Sequence, residues 1–154
     1  MNSAKRLESR LKGMVAARGG MFVPPELTKK MIQNISKKDS VGVLCSFEML
    51  PILDAKGFKD VTLIVEEQPK KYIRNLCTKY GYEVKTIEEI EDMKFDVVIG
   101  NPPFSEIGKE GKGEYGRGGK SILYPQFFKL ATEVSESGAM IMPPTRVDHA
   151  QTKH

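Results

Sequence analysis

Short runs of β-forming residues, separated by stretches with helical spacing, leave this chain few folds to adopt. Val41 to Cys45 and Val61 to Val65 are apolar runs, and Phe95-Asp-Val-Val-Ile-Gly100 is a third. Such near-continuous apolar runs suit strands buried on both faces of a parallel sheet. Tyr82 to Ile87 is more polar and is predicted to lie near the sheet edge, and Ala139 to Met142 supplies a fifth strand. Between them, Phe47 to Ala55, Pro69 to Tyr80 and Ile122 to Ser135 carry helical patterns. Gly57, Gly81 and Gly138 close them, and Ser121 is a cap for the last. Alternating strands and helices predict an α/β fold with a mostly parallel sheet of about five strands, covered on both faces. Ligands of such sheets bind beyond the carboxyl ends of the strands, where the strand order reverses.

Two more helices precede the first strand. Residues 2–17 place Leu7, Leu11, Met14 and Val15 on one stripe, and Gly19 and Gly20 stop the pattern. Phe22-Val-Pro-Pro25 must be extended, because each proline restricts itself and its predecessor. Pro25 then opens a helix running to about Ile35. The 154 residues fit one domain, 1–154, made of an N-terminal helix or arm over 1–19 and a core over 20–148.

Composition excludes several classes. No apolar run approaches the ~20 residues that span a bilayer, and no secretory signal opens the chain. Cys45 and Cys77 are too few for a disulfide scaffold and read as reduced thiols, so a cytoplasmic protein is expected. The formal charge of +4 permits a polyanionic partner without requiring one. Lys5, Arg6, Arg10, Lys12 and Arg18 concentrate cations near the start. They read as a solvated helix face ahead of a phosphate-contacting arm.

The residues with most chemistry are Asn101-Pro-Pro-Phe104, which leave the carboxyl end of the Phe95–Gly100 run. Two prolines remove two backbone donors and hold φ near ~−65°. The turn is therefore stiff, with carbonyls that have no local amide to bond. An Asn101 amide oxygen and the Pro102 carbonyl can both accept hydrogen bonds, and Phe104 offers an aromatic face. Two acceptors beside a stacking surface suit an amino group on a flat heterocycle. The plainer alternative is a rigid turn with no ligand.

Asn-Pro-Pro-Phe after Asp-apolar-apolar-apolar-Gly resembles the catalytic motif of amino methyltransferases, especially those acting on adenine N6 in DNA. Gly20-Met-Phe-Val-Pro-Pro-Glu-Leu-Thr-Lys-Lys-Met31 is similar to the N-terminal cofactor motif of their gamma class, and the motif order agrees with that class. The resemblance covers residues 20–148. It implies a Rossmann-like class I methyltransferase fold with S-adenosylmethionine as cofactor and double-stranded DNA, carrying a flipped adenine, as substrate. A restriction-modification setting is implied as well. By the resemblance Asn101 and Pro102 grip the amino group, Phe104 stacks on the base and Pro103 holds the turn. Phe22 and Pro24 take the methionine end of the cofactor. Cys45 and Phe47 stand in the first-strand motif, and Glu66 or Glu67 takes the ribose hydroxyls.

The sequence departs from the family pattern after the first strand. Cys45, Phe47 and Met49 stand at the Asp, Phe and Gly positions, and only Phe47 agrees. The glycine lets the backbone approach the cofactor, and Met49 brings a bulky side chain instead. Residues 105–120 hold six glycines with Lys109, Lys112, Arg117 and Lys120. They read either as a loop closing over flipped DNA or as a plain surface loop. Glu114 occupies the first-Gly position of a phosphate-binding P-loop, so that motif is excluded. His149 and His154 have no metal-ligand companions, so no metal is expected. Complete members of the family carry further C-terminal strands, missing here, so the last strand is expected to expose an apolar edge. Self-association, or docking on a partner that supplies strands, is the expected consequence. The alternative function is a catalytically inactive methyltransferase-like module that binds nucleic acid or a partner protein. A third is methylation of an RNA or protein amide nitrogen.

Overall fold

The computed structural model describes residues 3–17, 22–101, 124–136 and 139–141. In chain order these form α1 (Ser3–Ala17), α2 (Pro25–Ile32), β1 (Val41–Leu44), α3 (Leu50–Ala55), β2 (Val61–Val65) and α4 (Lys71–Tyr80). β3 (Glu83–Thr86), β4 (Val97–Gly100), α5 (Tyr124–Glu133) and β5 (Ala139–Ile141) follow. The described strands make one sheet in the order β3-β2-β1-β4-β5, with every pairing parallel. The strand order reverses between β1 and β4. This is the Rossmann-like α/β arrangement expected from the alternation of strand and helix.

Alternation along the strands sorts the core into two layers. Val41, Val43, Val61, Leu63, Val97 and Ile99 face one side, where α1 to α4 contribute Leu11, Val15, Ile32, Leu50, Leu53, Ile73 and Leu76. Leu44, Ile64 and Val98 face the other, against Ile90, Phe95, Ala131 of α5 and Val134 just beyond it. Fully burying a side chain of this type contributes about 1.5–3 kcal/mol, so these layers are the main source of stability. β3 lies at an edge, as its polar pattern predicts. α1 folds as a helix whose Leu11 and Val15 are buried, while Lys5, Arg6, Arg10 and Lys12 stay on its solvent side.

Several boundaries differ from the sequence expectation for identifiable reasons. The segment read as one helix over Phe47 to Ala55 is a 3₁₀ turn, Phe47–Met49, followed by α3. Pro51 lacks the N–H that would bond four residues back, so a continuous α ladder cannot pass it. α2 ends at Ile32 rather than Ile35, and α4 begins at Lys71 rather than Pro69. Phe95 leaves β4 for a separate parallel bridge to Ser135: its N–H donates to the Val134 carbonyl at 2.7 Å. The same bridge ends α5 at Glu133, two residues early. Between Phe95 and Val97, Asp96 clamps the amino ends of β1 and β4. Its Oδ2 accepts from the Ser40 N–H at 2.8 Å, and its own N–H donates to Ser40 Oγ at 2.8 Å. This reciprocal pair sets the β1–β4 register. Cys45 and Cys77 are both buried thiols, and burial pushes the Cys77 thiol up to about 11. Ser121, Gly138 and Met142 lie outside the described residues.

Candidate active site at the carboxyl end of β4

The β-ladder registers bring the carboxyl ends of the three central strands level. Leu44 stands opposite Ile64 of β2 and Gly100 of β4. The residues that follow them, Cys45 on β1, Val65 then Glu66 on β2, and Asn101 on β4, therefore gather at one end of the sheet. That end includes the β1–β4 switch point, where ligands of this architecture bind.

Asn101 is 8% exposed and follows a tight approach of two strands. A Cβ added to Gly100 would lie 2.6 Å from the Leu44 carbonyl oxygen and 2.9 Å from the Leu44 Cβ. Only glycine lets β4 run this close to β1. On the β1 side, Cys45 adopts φ 64°, a left-handed conformation that non-glycine residues rarely take. The strand ends there, one residue before the sequence run does, although the Cys45 N–H still donates to the Ile64 carbonyl at 2.8 Å. The next residue, Ser46, is fully buried and turns its hydroxyl to β4: Oγ accepts from the Asn101 N–H at 2.6 Å and donates to the Leu44 carbonyl at 3.2 Å.

The turn after β1 is closed over. Cys45 to Leu50 are all between 0 and 4% exposed. Phe47, Met49 and Leu50 pack with α1 to α4, and Cys45 packs in the opposite layer. Met49, at the position that the sequence resemblance gives to glycine, is thus a core side chain. Glu48 is buried in the same turn, and its Oε2 accepts from the Val23 N–H at 3.0 Å. That bond ties the extended Phe22–Pro24 segment to the turn across 25 positions of sequence. Phe22 is half-buried against the core, with the Lys12 ammonium 5.6 Å from its ring centroid. Pro24 is exposed and precedes α2 as its N-terminal cap residue.

The residues expected from sequence to hold a cofactor therefore fall into two groups. Glu66 is half-buried at the carboxyl end of β2, Glu67 is exposed, and Phe22 and Pro24 remain partly or wholly at the surface. These side chains are accessible without any rearrangement of the turn. Cys45 and Phe47 are each 1% exposed, so they reach a ligand only if the turn opens. Pro102, Pro103, Phe104, Lys109, Lys112, Arg117 and Lys120 lie outside the described residues. Sequence reading missed Ser46, Glu48 and Gly100. The available signal was two polar residues within the otherwise apolar stretch Leu44 to Leu53, and a glycine directly before Asn101.

At the opposite end of the sheet there is a depression of about 500 Å³ lined by Ser40, Lys59, Asp60, Thr62, Glu83 and Lys94, among others. It is an open hollow at the amino ends of the strands, away from Asn101, and we assign it no chemistry. Among the described residues no group of His, Cys, Asp or Glu could hold a metal ion, and no helix is long and apolar enough to cross a membrane.

An open parallel sheet of this order, with a buried asparagine at the carboxyl end of β4 beside the β1–β4 switch point, defines a Rossmann-like domain. The sequence profile of the Eco57I restriction-modification methylase family matches residues 25–153, and the chain belongs to that family. Methylases of restriction-modification systems act on DNA, and methyltransferases of this family generally use S-adenosylmethionine. Among solved structures the chain is similar to one described as shikimate 5-dehydrogenase-like protein HI0607, with 16% identity and a TM-score of 0.47. That similarity covers 84% of this chain and 46% of the other, so the chain spans about half the length of that protein. No curated protein matches the chain.

Proposed function

We propose that this chain carries the catalytic core of a gamma-class DNA methyltransferase that places a methyl group on adenine N6, with S-adenosylmethionine as donor. The observation that carries this reading is Asn101, buried at the carboxyl end of β4 and beside the β1 turn, in a chain of a restriction-modification methylase family.

In this reading the Asn101 amide oxygen and the Pro102 carbonyl accept the two hydrogens of the target amino group. Its lone pair is delocalised into the purine ring, and two acceptors draw it back towards nitrogen. Pro103 stiffens the turn and Phe104 stacks on the flipped base. No strong base is needed, because attack on an activated methyl group depends mainly on positioning and polarisation. The proton leaves the methylated nitrogen after transfer, towards the accepting oxygens or solvent. S-adenosylmethionine supplies an electrophilic methyl when bound. Glu66 would hold its ribose hydroxyls, with Glu67 beside it, and Phe22 and Pro24 would border its methionine end. Lys109, Lys112, Arg117 and Lys120 would touch DNA phosphates. We place the protein in the cytoplasm, and a second copy or a partner pairs with β5, the last strand of the described sheet. A sedimentation profile of a monomer that does not associate at micromolar concentration argues against that last point.

The covered turn after β1 bears on the alternative reading, a methyltransferase-like module that binds nucleic acid or protein without transfer. Titration calorimetry with S-adenosylmethionine at millimolar concentration separates the two. The methyltransferase reading expects weak but measurable heat and a rise in melting temperature. Absence of both, in a folded chain, supports the non-catalytic module.

A further inference from the structure

We infer that Ser46 is a positioning residue for Asn101, with its hydroxyl bridging the Asn101 N–H and the Leu44 carbonyl at the end of the β1–β4 ladder. This rests on the reading of Asn101 as the residue that grips the target amino group.

Along a strand in a parallel sheet, successive residues direct their backbone groups to opposite neighbours. Cys45 donates to the Ile64 carbonyl and so bonds on the β2 side. Leu44, one residue earlier, therefore directs its groups to β4, where it stands opposite Gly100. The regular partner of its carbonyl would be the Asn101 N–H. The Ser46 hydroxyl bridges these two groups. It accepts from the Asn101 N–H at 2.6 Å and donates to the Leu44 carbonyl at 3.2 Å. One hydroxyl has one proton to donate and two lone pairs to accept with, so both bonds are made at once.

The local backbone explains why a side chain is used. The left-handed φ of Cys45 turns the chain off the strand, which removes the next backbone groups from the ladder and brings the Ser46 side chain to the edge of β4. Ser46 is 0% exposed, so its hydroxyl has no access to bulk water. Losing it would remove a hydrogen bond from a buried N–H and another from a buried C=O at the point where β4 delivers Asn101. Gly100 holds the same point from the other direction by close contact. The Asn101 backbone is thus held at its amide by Ser46 and, through the adjoining residue, by β1. That fixes where its side chain starts without Ser46 touching the substrate.

The test combines amide hydrogen exchange with steady-state kinetics on the full chain, comparing wild type, Ser46→Ala and Ser135→Ala. Ser135 is similarly buried but lies at the Phe95 bridge, so it controls for loss of any buried hydroxyl. In Ser46→Ala the Asn101 amide should exchange roughly tenfold faster or more, while the β2 amides keep wild-type protection. Methyl transfer to unmethylated DNA should show kcat lowered roughly tenfold and the KM for S-adenosylmethionine unchanged. Ser135→Ala should leave Asn101 exchange and kcat as in wild type. An Asn101 amide equally protected in wild type and Ser46→Ala overturns the inference whether or not the chain transfers methyl groups. So does an active enzyme in which Ser46→Ala keeps wild-type kcat. If Ser46→Ala does not fold, wild-type exchange still decides, because an Asn101 amide with no protection is incompatible with the bond. Wild type that protects Asn101 but transfers no methyl group to any DNA instead counts against the methyltransferase reading, and with it against a positioning role.

Discussion

Replacing Asn101 by alanine is expected to reduce methyl transfer by ~10² or more, as loss of a polar contact made in the transition state does. The substitution removes an amide oxygen proposed to draw the amino hydrogens, so it acts on kcat. The backbone amide that Ser46 holds is retained, and a small side chain replaces a larger one at a site that is 8% exposed. The fold should therefore survive. Binding of S-adenosylmethionine should be nearly unchanged, because Asn101 lies on the acceptor side. Phe104→Ala should behave differently, weakening capture of the flipped base by ~1–3 kcal/mol with a smaller effect on the chemical step. The two are compared by single-turnover kinetics on unmethylated DNA. Turnover in Asn101→Ala equal to wild type would remove the proposed mechanism.

The second large effect is on stability. Gly100→Val should destabilise the chain by about 3 kcal/mol or more, the upper end of the usual cost of overpacking. The reason is geometric. Even a Cβ at this position meets the Leu44 carbonyl oxygen at 2.6 Å and the Leu44 amide nitrogen at 3.1 Å. Both are backbone atoms within a strand and cannot rotate away. β4 would have to separate from β1, which breaks the register at Leu44–Gly100 and displaces the Ser46–Asn101 bond. Gly13→Ala is the contrast. A Cβ there meets nothing within 4 Å, and alanine is the better helix former inside α1, so that change should be neutral or mildly stabilising. Urea denaturation of the two variants measures the difference. A Gly100→Val midpoint within error of wild type would mean that the strands do not approach as described.

Much of the fold was legible because burial writes itself into the β runs. Val61 to Val65 reads as a strand and is one, and the polar Tyr82–Ile87 run lies at an edge, where few apolar contacts are required. The failures lie where a tertiary bond competes with a local pattern. Phe95 has the apolar character of β4 but bonds to the Val134–Glu136 segment instead, a partner forty residues on that periodicity cannot reveal. Pro51 signals the break between the 3₁₀ turn and α3, yet the helical spacing of the surrounding residues conceals it.

The site was legible in the same uneven way. Asn101 stands out from its neighbours in sequence as a candidate, because consecutive prolines after a buried strand are a local signal. Ser46 and Glu48 were not, since each acts on a residue 55 or 25 positions away. Met49 shows the limit from the other direction. Sequence places a bulky residue where the family has glycine, and the structure shows that residue fully buried in the core with Phe47 and Leu50. Packing in the core, rather than a close approach of bare backbone to a ligand, is what this position provides.

Incubating the full chain with isotopically labelled S-adenosylmethionine and DNA from a source lacking methylation, then identifying the labelled nucleoside by mass spectrometry, tests the central claim most directly. The account predicts label in N6-methyldeoxyadenosine, and its loss in Asn101→Ala. Label confined to methylated cytosine, or no label in DNA from a chain that demonstrably binds the cofactor, would contradict it.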